Sequence, residues 1–319
     1  MPFNMHIKIC IFFLKLSIYS GTDRFIYFGT LIISMEKQVI CPHCNKDNIS
    51  KRGSYTTSVK GKVQRYYCRD CDKKFVIRDG FYRMRNSPEK ITLCIDLYFK
   101  GVSTRKVQEH LQTFYPKNST WVSIYNWLIK YSNMVGSFTD ALKINTSKSI
   151  QVDEMEFFTK GKPTWFIDTI DPESKFMVSS SFFNRRGINE IKEVLNLAKS
   201  KDGNINHVTS DGFHAYKYSV KRTFYSNYRA FTHKIVTASK GEGFNHPIER
   251  LHNTIRERTK TMRGFHGSVE SARALMKGIE INYNFNRKHQ TIDCCPYELV
   301  TDLQLSKNKW LELINLSFE

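Results

Sequence analysis

No charge-free apolar run in this 319-residue chain approaches the ~18–20 residues that a membrane-spanning helix requires. A bilayer-spanning helix is therefore not expected, and neither is a membrane partner. Acid is scarce as well: 30 Asp and Glu stand against 49 Lys and Arg, for a formal net charge of +19. That imbalance makes a polyanion the default partner, and nucleic acid is the most economical one. A disulfide framework is also missing. Of the eight cysteines, Cys41, Cys44, Cys68 and Cys71 form two CxxC pairs, while Cys10, Cys94, Cys294 and Cys295 are scattered. This pattern reads as metal binding in a reducing compartment.

The basic excess is uneven. Between Met35 and Lys130 there are 19 basic and 8 acidic residues, so the N-terminal half is the expected binding surface. Ahead of it, residues 1–34 are apolar, but Lys15 interrupts the run and no small-residue cleavage site follows. A start assigned too far upstream, with Met35 as the true beginning, or a disordered extension fits better than a signal peptide.

Residues 35–80 hold the two CxxC pairs, with 23 residues between Cys44 and Cys68. Each knuckle turns two thiolates onto one ion, and two knuckles complete a tetrahedral Zn²⁺ shell. Alternating segments "KRGSYTT" and "KVQRYYC" flank a turn at "KGK", which predicts a zinc ribbon stabilised by its metal. Arg52, Lys60, Lys62 and Arg65 direct it at DNA backbone, a solvated basic face being the plainer alternative.

Residues 86–135 read as three short helices, capped by Ser87, Ser103 and Ser119, with a break at Gly101. Val107 and Leu111 of the second and Trp121, Ile124 and Leu128 of the third form the expected core. This is the pattern of a helix-turn-helix domain, and the third helix would present Ser123, Asn126 and Lys130 to DNA. A three-helix bundle without a DNA role has the same apolar stripe.

From residue 146 to 290 the periodicity changes to three strands, an amphipathic helix, a short strand ending at Asp211-Gly212, and further helices. That order predicts an RNase H-like core with a mixed sheet between helices. The fold class is thus multidomain α/β: an RNase H-like mixed-sheet catalytic core preceded by a zinc ribbon and a three-helix domain, with residues 291–319 as a C-terminal tail. Asp153 on the first strand and Asp211 at the end of the fourth would reach one sheet edge. The helix "IERLHNTIRERTK" brings Glu249 across it, with His252, Asn253, Arg256 and Lys260 on the same face and Ile248, Leu251, Ile255 and Met262 buried. Three carboxylates are the hard ligands Mg²⁺ prefers, and two such ions activate a nucleophile at phosphorus. Arg256, Arg258, Lys260 and Arg263 would hold the strand that carries the phosphate. Each acid has a plainer reading: an acidic strand face for Asp153, a turn for Asp211, a helix-terminus charge for Glu249. Glu257 is a rival third acid, and Asp168 and Asp171 fit strand-end turns.

The runs "VDE", "TSDGFHAY" and "IERLHNTIRERTKTMRGF", with 58 residues from Asp153 to Asp211 and 38 more to Glu249, resemble prokaryotic insertion-sequence transposases of the DDE superfamily. "SARALMKGIEINYNFNRKHQTI" resembles the helix that follows their third acid. The resemblance spans roughly residues 40–298. It implies metal-ligand roles for Asp153, Asp211 and Glu249, with Mg²⁺ or Mn²⁺ as cofactor beside structural Zn²⁺. It further implies terminal inverted repeats and target DNA as partners, at least a homodimer, and a cytoplasmic, nucleoid-associated location.

Overall fold

A glycine turn sets the first module. Gly61, in the left-handed region at φ 62°, closes a hairpin between β1 (Ile49–Thr57) and β2 (Gly61–Cys68), and β3 (Lys74–Val76) adds a third antiparallel strand. The computed structural model describes residues 39–114, 119–225, 230–236, 246–260, 262, 265 and 267–318. The apolar opening segment 1–34 and Arg263 lie outside the described residues.

Helix α1 (Pro88–Phe99) starts as its sequence dictates, with Ser87 Oγ accepting from the Lys90 amide and Pro88 in the first turn. Ser103 likewise caps α2 (Thr104–Phe114) through the Lys106 amide. The third cap differs from expectation. Thr120, not Ser119, caps α3 (Trp121–Ala141) by accepting from the Ser123 amide; Ser119 is buried and donates to Asn86. Trp121 consequently stands at the first helical position, exposed, with the Arg105 guanidinium 5.2 Å from its ring centre. Trp127 takes its place in the core beside Ile124 and Leu128.

Helix α3 also runs 21 residues, beyond the expected boundary at 135. Its C-terminal half crosses α7 (Val269–Ile281) so closely that a Cβ on Gly136 would meet Lys277 Cγ at 2.6 Å, and one on Gly278 would meet Ser132 Oγ at 2.5 Å. The helices and the sheet therefore share one apolar core, which begins at Phe81 and takes in Trp310. The expected C-terminal tail is part of it. Helix α8 (Tyr297–Val300) is followed by α9 (Lys309–Leu316), whose Trp310 stacks on Phe99 with ring centres 5.4 Å apart. Its polar context hid an anchor of ordinary helical spacing: Trp310, Leu313 and Ile314 are all buried.

The second sheet has the order β6-β5-β4-β7-β8. Its members are β4 (Ser149–Thr159), β5 (Lys162–Ile170), β6 (Met177–Phe183), β7 (His207–Ser210) and β8 (Thr232–Ile235). The first three are an antiparallel meander, and β7 and β8 add in parallel beside β4. This mixed five-stranded sheet between helices is the RNase H-like core. Neighbouring side chains on β6 mark its two faces. Ser179 donates to Val194 O on α4 (Ile188–Lys201), whereas Ser180 donates to Glu280 on α7. Helix α5 (His214–Phe224) and β8 are not legible in the basic segment that carries them.

Candidate active site

The parallel pairing of β4 with β7 sets the site. Gln151 lies opposite Thr209, and two residues further along each strand the same register reaches Asp153 and Asp211. Asp211 lies just past the end of β7, where its Oδ1 accepts from the Phe213 amide at 2.9 Å and so shapes the turn into α5. The turn reading of Asp211 thus holds. Asp153 is not part of a solvated acidic strand. The carboxylate of its neighbour Glu154 is almost fully covered, bound by Arg186 at 2.6 Å and by the Tyr216 hydroxyl of α5. Burial pushes the Tyr216 hydroxyl well above its ordinary pKa, reinforced by the charges of Glu154, Asp153 and Asp211.

Helix α6 (His246–Lys260) covers this edge. Its Ile248, Leu251 and Ile255 are buried, and each such side chain contributes ~1.5–3 kcal/mol. The Ile248 amide, an otherwise unpaired donor of the first turn, binds Gln151 Oε1 at 3.2 Å and pins the helix to β4. Glu249, in that turn, is half exposed and lies 3.9 Å from His246. Among the described residues, the only group of three or more metal-binding side chains with ligand atoms all within 4.8 Å is the cysteine cluster. The three acids are not drawn that close together.

The largest departure from expectation concerns His252. Helical spacing puts it on the polar face of α6, yet it is 2% exposed. Its Nε2 is 2.8 Å from Asp168 Oδ1, and its Nδ1 is 3.6 Å from Asp153 Oδ2. Asp168 is no strand-end turn residue either. It lies within β5, directly across from Asp153, and is fully buried. Burial opposes charge on the His252 ring, yet Asp168 and then Asp153 outweigh it and hold the imidazolium above its ordinary pKa. Burial raises Asp153 to about 7, against the lowering effects of His252 and the Glu154 amide. Asp171 does serve a turn, accepting from Ser147 and Ser174.

Donor chemistry fits a hard divalent cation at Asp153, Asp211 and Glu249: all three are carboxylates, and burial opposes the charge of Asp153 until a cation compensates it. Of the flanking bases, Arg256 and Lys260 are exposed, as is Glu257. Arg258 is not available for DNA. Its guanidinium donates to the Tyr98 carbonyl and lies 4.7 Å from the centre of the Tyr98 ring, tethering α6 to α1.

In the ribbon, the Cys41–Cys71 and Cys44–Cys68 sulfurs are 3.7 and 3.5 Å apart. Four thiolates at ~2.3 Å from a tetrahedral zinc would be ~3.8 Å from one another, so the cluster fits the ion. Cys41 falls to about 7, against the opposing effect of burial, because the His43 and Cys44 amides favour its thiolate. Burial raises Cys71 to about 12. Arg52 and Arg65 lie over the rings of Tyr67 and Tyr55, Lys62 is exposed, and Lys60 is paired with Asp79. In α3, Asn126 and Lys130 are exposed, whereas Ser123 is half buried and engaged with the Thr120 cap.

A family model described as a DDE domain, of the IS240 transposase type, matches residues 147–289. No curated protein matches the chain in sequence. Among solved structures, the chain is similar to the HTLV-2 integrase catalytic core domain in complex with magnesium, at 14% identity and TM-score 0.37, over 49% of this chain and 98% of that one. It is similar also to the simian T-cell lymphotropic virus intasome in complex with PP2A regulatory subunit B56 gamma, at 13% identity and TM-score 0.37, over 68% and 80% of the two chains. A third is the Drosophila P element transposase strand transfer complex, at 14% identity and TM-score 0.32, over 50% and 43%. Among the described residues, no helix is long and apolar enough to cross a membrane.

Proposed function

We propose that this chain, whose residues 147–289 match a DDE-domain family model, binds its element's ends, exposes a 3′-hydroxyl there by hydrolysis, and joins that hydroxyl to target DNA. One observation supports the reading: β4 and β7 pair in parallel up to Gln151 and Thr209, so Asp153 and Asp211 both follow at one end of that pairing, under a helix that bears Glu249.

Both reactions exchange one phosphoester bond for another. Water oxygen bonds to phosphorus as the P–O3′ bond breaks, and the departing oxygen takes up a proton to become the 3′-hydroxyl. That hydroxyl then loses its proton and attacks a target phosphorus, displacing another 3′-oxygen. No covalent protein–DNA intermediate is needed. Asp153, Asp211 and Glu249 would hold Mg²⁺ or Mn²⁺, which supplies activation of the nucleophile and neutralises the leaving oxygen. His252 positions this set: bound to Asp168 and beside Asp153, it fixes α6 over β4. Arg256 and Lys260 hold the reacting strand by its phosphates. The ribbon, with Zn²⁺ on its four cysteines, and α3 bind the terminal inverted repeats through Arg52, Lys62, Arg65, Asn126 and Lys130. Two ends must be joined, so the working form is at least a homodimer.

A strand-transfer assay on a labelled end, with Mg²⁺ or Mn²⁺ and beside a gel shift, tests the reading. Asp153→Ala, Asp211→Ala and Glu249→Ala should each abolish cleavage and joining yet leave end binding intact. Loss of two should cost little more than loss of one, because the ligands act as a unit. Glu257→Ala should retain substantial activity. If Glu249→Ala joins DNA while Glu257→Ala is dead, the third acid is misassigned; four active variants would overturn the transposase reading. Cleavage without joining would point to a nuclease, and end binding without either to a regulator.

A further inference from the structure

A second charged site adjoins the carboxylate face. Lys175, in the turn between β5 and β6, meets Arg250 and Thr254 of α6, Tyr283 of the π-helical turn Asn282–Asn286, and His289 beyond it, around a cavity of about 140 Å³. Arg287 lies 5.8 Å from the centre of the Tyr283 ring. Burial lowers the pKa of His289, and the charges of Arg287, Lys175 and Arg250 lower it further. These groups come from three separate segments and repel one another. Among the described residues, none of Lys175, Arg250 and Arg287 forms an ion pair with Asp or Glu. Arg250 and Arg287 are exposed, and an anion seated between them and Lys175 would relieve their mutual repulsion.

Lys175 adds an independent observation. Its φ is 60°, the left-handed region that Gly or Asn occupies at least cost. Its ammonium donates to the Pro172 carbonyl within the same turn. A turn under no other demand would favour glycine here, whereas the chain keeps a long cation facing the pocket. Arg250 follows Glu249 in sequence and is displaced from it by ~100° around α6. His246, which also lines the pocket, lies 3.9 Å from Glu249, so the pocket adjoins that carboxylate, with room for a phosphodiester group but not for a nucleoside.

We propose that this pocket binds a backbone phosphate of the DNA on which the carboxylates act, at a distance along the strand from the phosphodiester that reacts. The identity of the polyanion rests on the transposase reading; the anion site itself rests on the cations that converge there. Arg256 and Lys260, exposed further along the same helix, extend the track that such a strand would follow.

The full chain and two variants, Lys175→Gly and Arg250→Gln, would be titrated with a short labelled duplex of arbitrary sequence, without divalent cation, across a range of NaCl. Lys175→Gly relieves the left-handed residue, so it should melt at or above the wild-type temperature. Each variant should bind ~10-fold more weakly at low salt. The slope of log affinity against log salt should fall by ~0.9, as expected when the protein neutralises one phosphate fewer. Wild-type affinity and slope in both variants would overturn the proposal, as would weaker binding with an unchanged slope. Strand joining by the wild-type chain on a labelled element end, with Mg²⁺ added, reports separately on the transposase reading. Joining that is preserved in variants with unaltered affinity would remove the pocket and leave that reading. A wild-type chain that binds but never joins would remove the reading, and the slopes would still decide the pocket.

Discussion

His252 Nε2 lies 2.8 Å from Asp168 Oδ1, a link between the helix that carries Glu249 and the strand next to Asp153. Both partners are buried, and removing one leaves the other without compensation. Asp168→Asn should therefore destabilise the chain by ~3 kcal/mol at about pH 6. The sign with pH follows from the raised imidazolium pKa. A group whose folded pKa exceeds its unfolded value stabilises most below the unfolded value, here 6.5, and loses that contribution as pH rises through the folded one. The gap in stability between wild type and Asp168→Asn should narrow above neutrality. Denaturant unfolding at several pH values checks this, with the His252 ring titration followed by NMR; a gap that widens with pH would contradict it.

Asp153 gives a second dependence of opposite origin. Its pKa rises from 3.8 to about 7 on folding, so the metal-free folded state holds a proton that the unfolded chain has released. Stability should then fall between about pH 4 and 7 by up to ~1.4 kcal/mol per unit from this residue. Asp153→Asn should remove that loss, melting above the wild type at about pH 8 in a chelator while being inactive. Added Mg²⁺ should stabilise the wild type under the same alkaline conditions and leave Asp153→Asn unmoved. A variant that melts lower than wild type there would mean that the aspartate is held by partners other than a cation.

The ribbon should fail alone. The shared apolar core begins at Phe81 and includes no ribbon residue, so the ribbon's stability must come from its cysteine cluster. Cys41→Ser or Cys68→Ser should release zinc and lose end binding, while α1 to α9 and the five-stranded sheet stay folded. Metal analysis of the wild type and hydrogen exchange of β1–β3 in the variants test both halves. Zinc-free wild-type protein, or a variant that still footprints the ends, would contradict it.

What can be read in the sequence is whatever depends on local spacing. The CxxC pairs and the Ser87 and Ser103 caps follow from short-range geometry. The buried stripe of α6 is legible except at His252 and Thr259, because a polar side chain at the stripe's edge turns inward only when a partner waits there. For His252 that partner, Asp168, comes from a strand 84 residues away. The same holds for Trp310, whose stacking on Phe99 spans most of the chain. Arg258 stands in the sequence as one of a row of bases, and only the approach of α1 shows that Tyr98 occupies it.

That distinction separates two arginines which a charge count treats alike. Arg256 is exposed on α6, whereas Arg258 is held by the Tyr98 carbonyl and ring. Arg256→Gln should leave the melting temperature unchanged and weaken DNA binding, with a salt slope reduced by ~0.9. Arg258→Gln should do the reverse, because it gives up a charge-assisted hydrogen bond and a cation–π interaction. Its cost should be ~2 kcal/mol in stability, with the salt slope kept. Binding should weaken only to the extent that α6 shifts against α1. Equilibrium unfolding and anisotropy titrations on both variants give the comparison. If Arg258→Gln reduces the slope as much as Arg256→Gln while unfolding at the wild-type midpoint, Arg258 leaves Tyr98 to bind DNA, and the tether is a feature of the DNA-free protein alone.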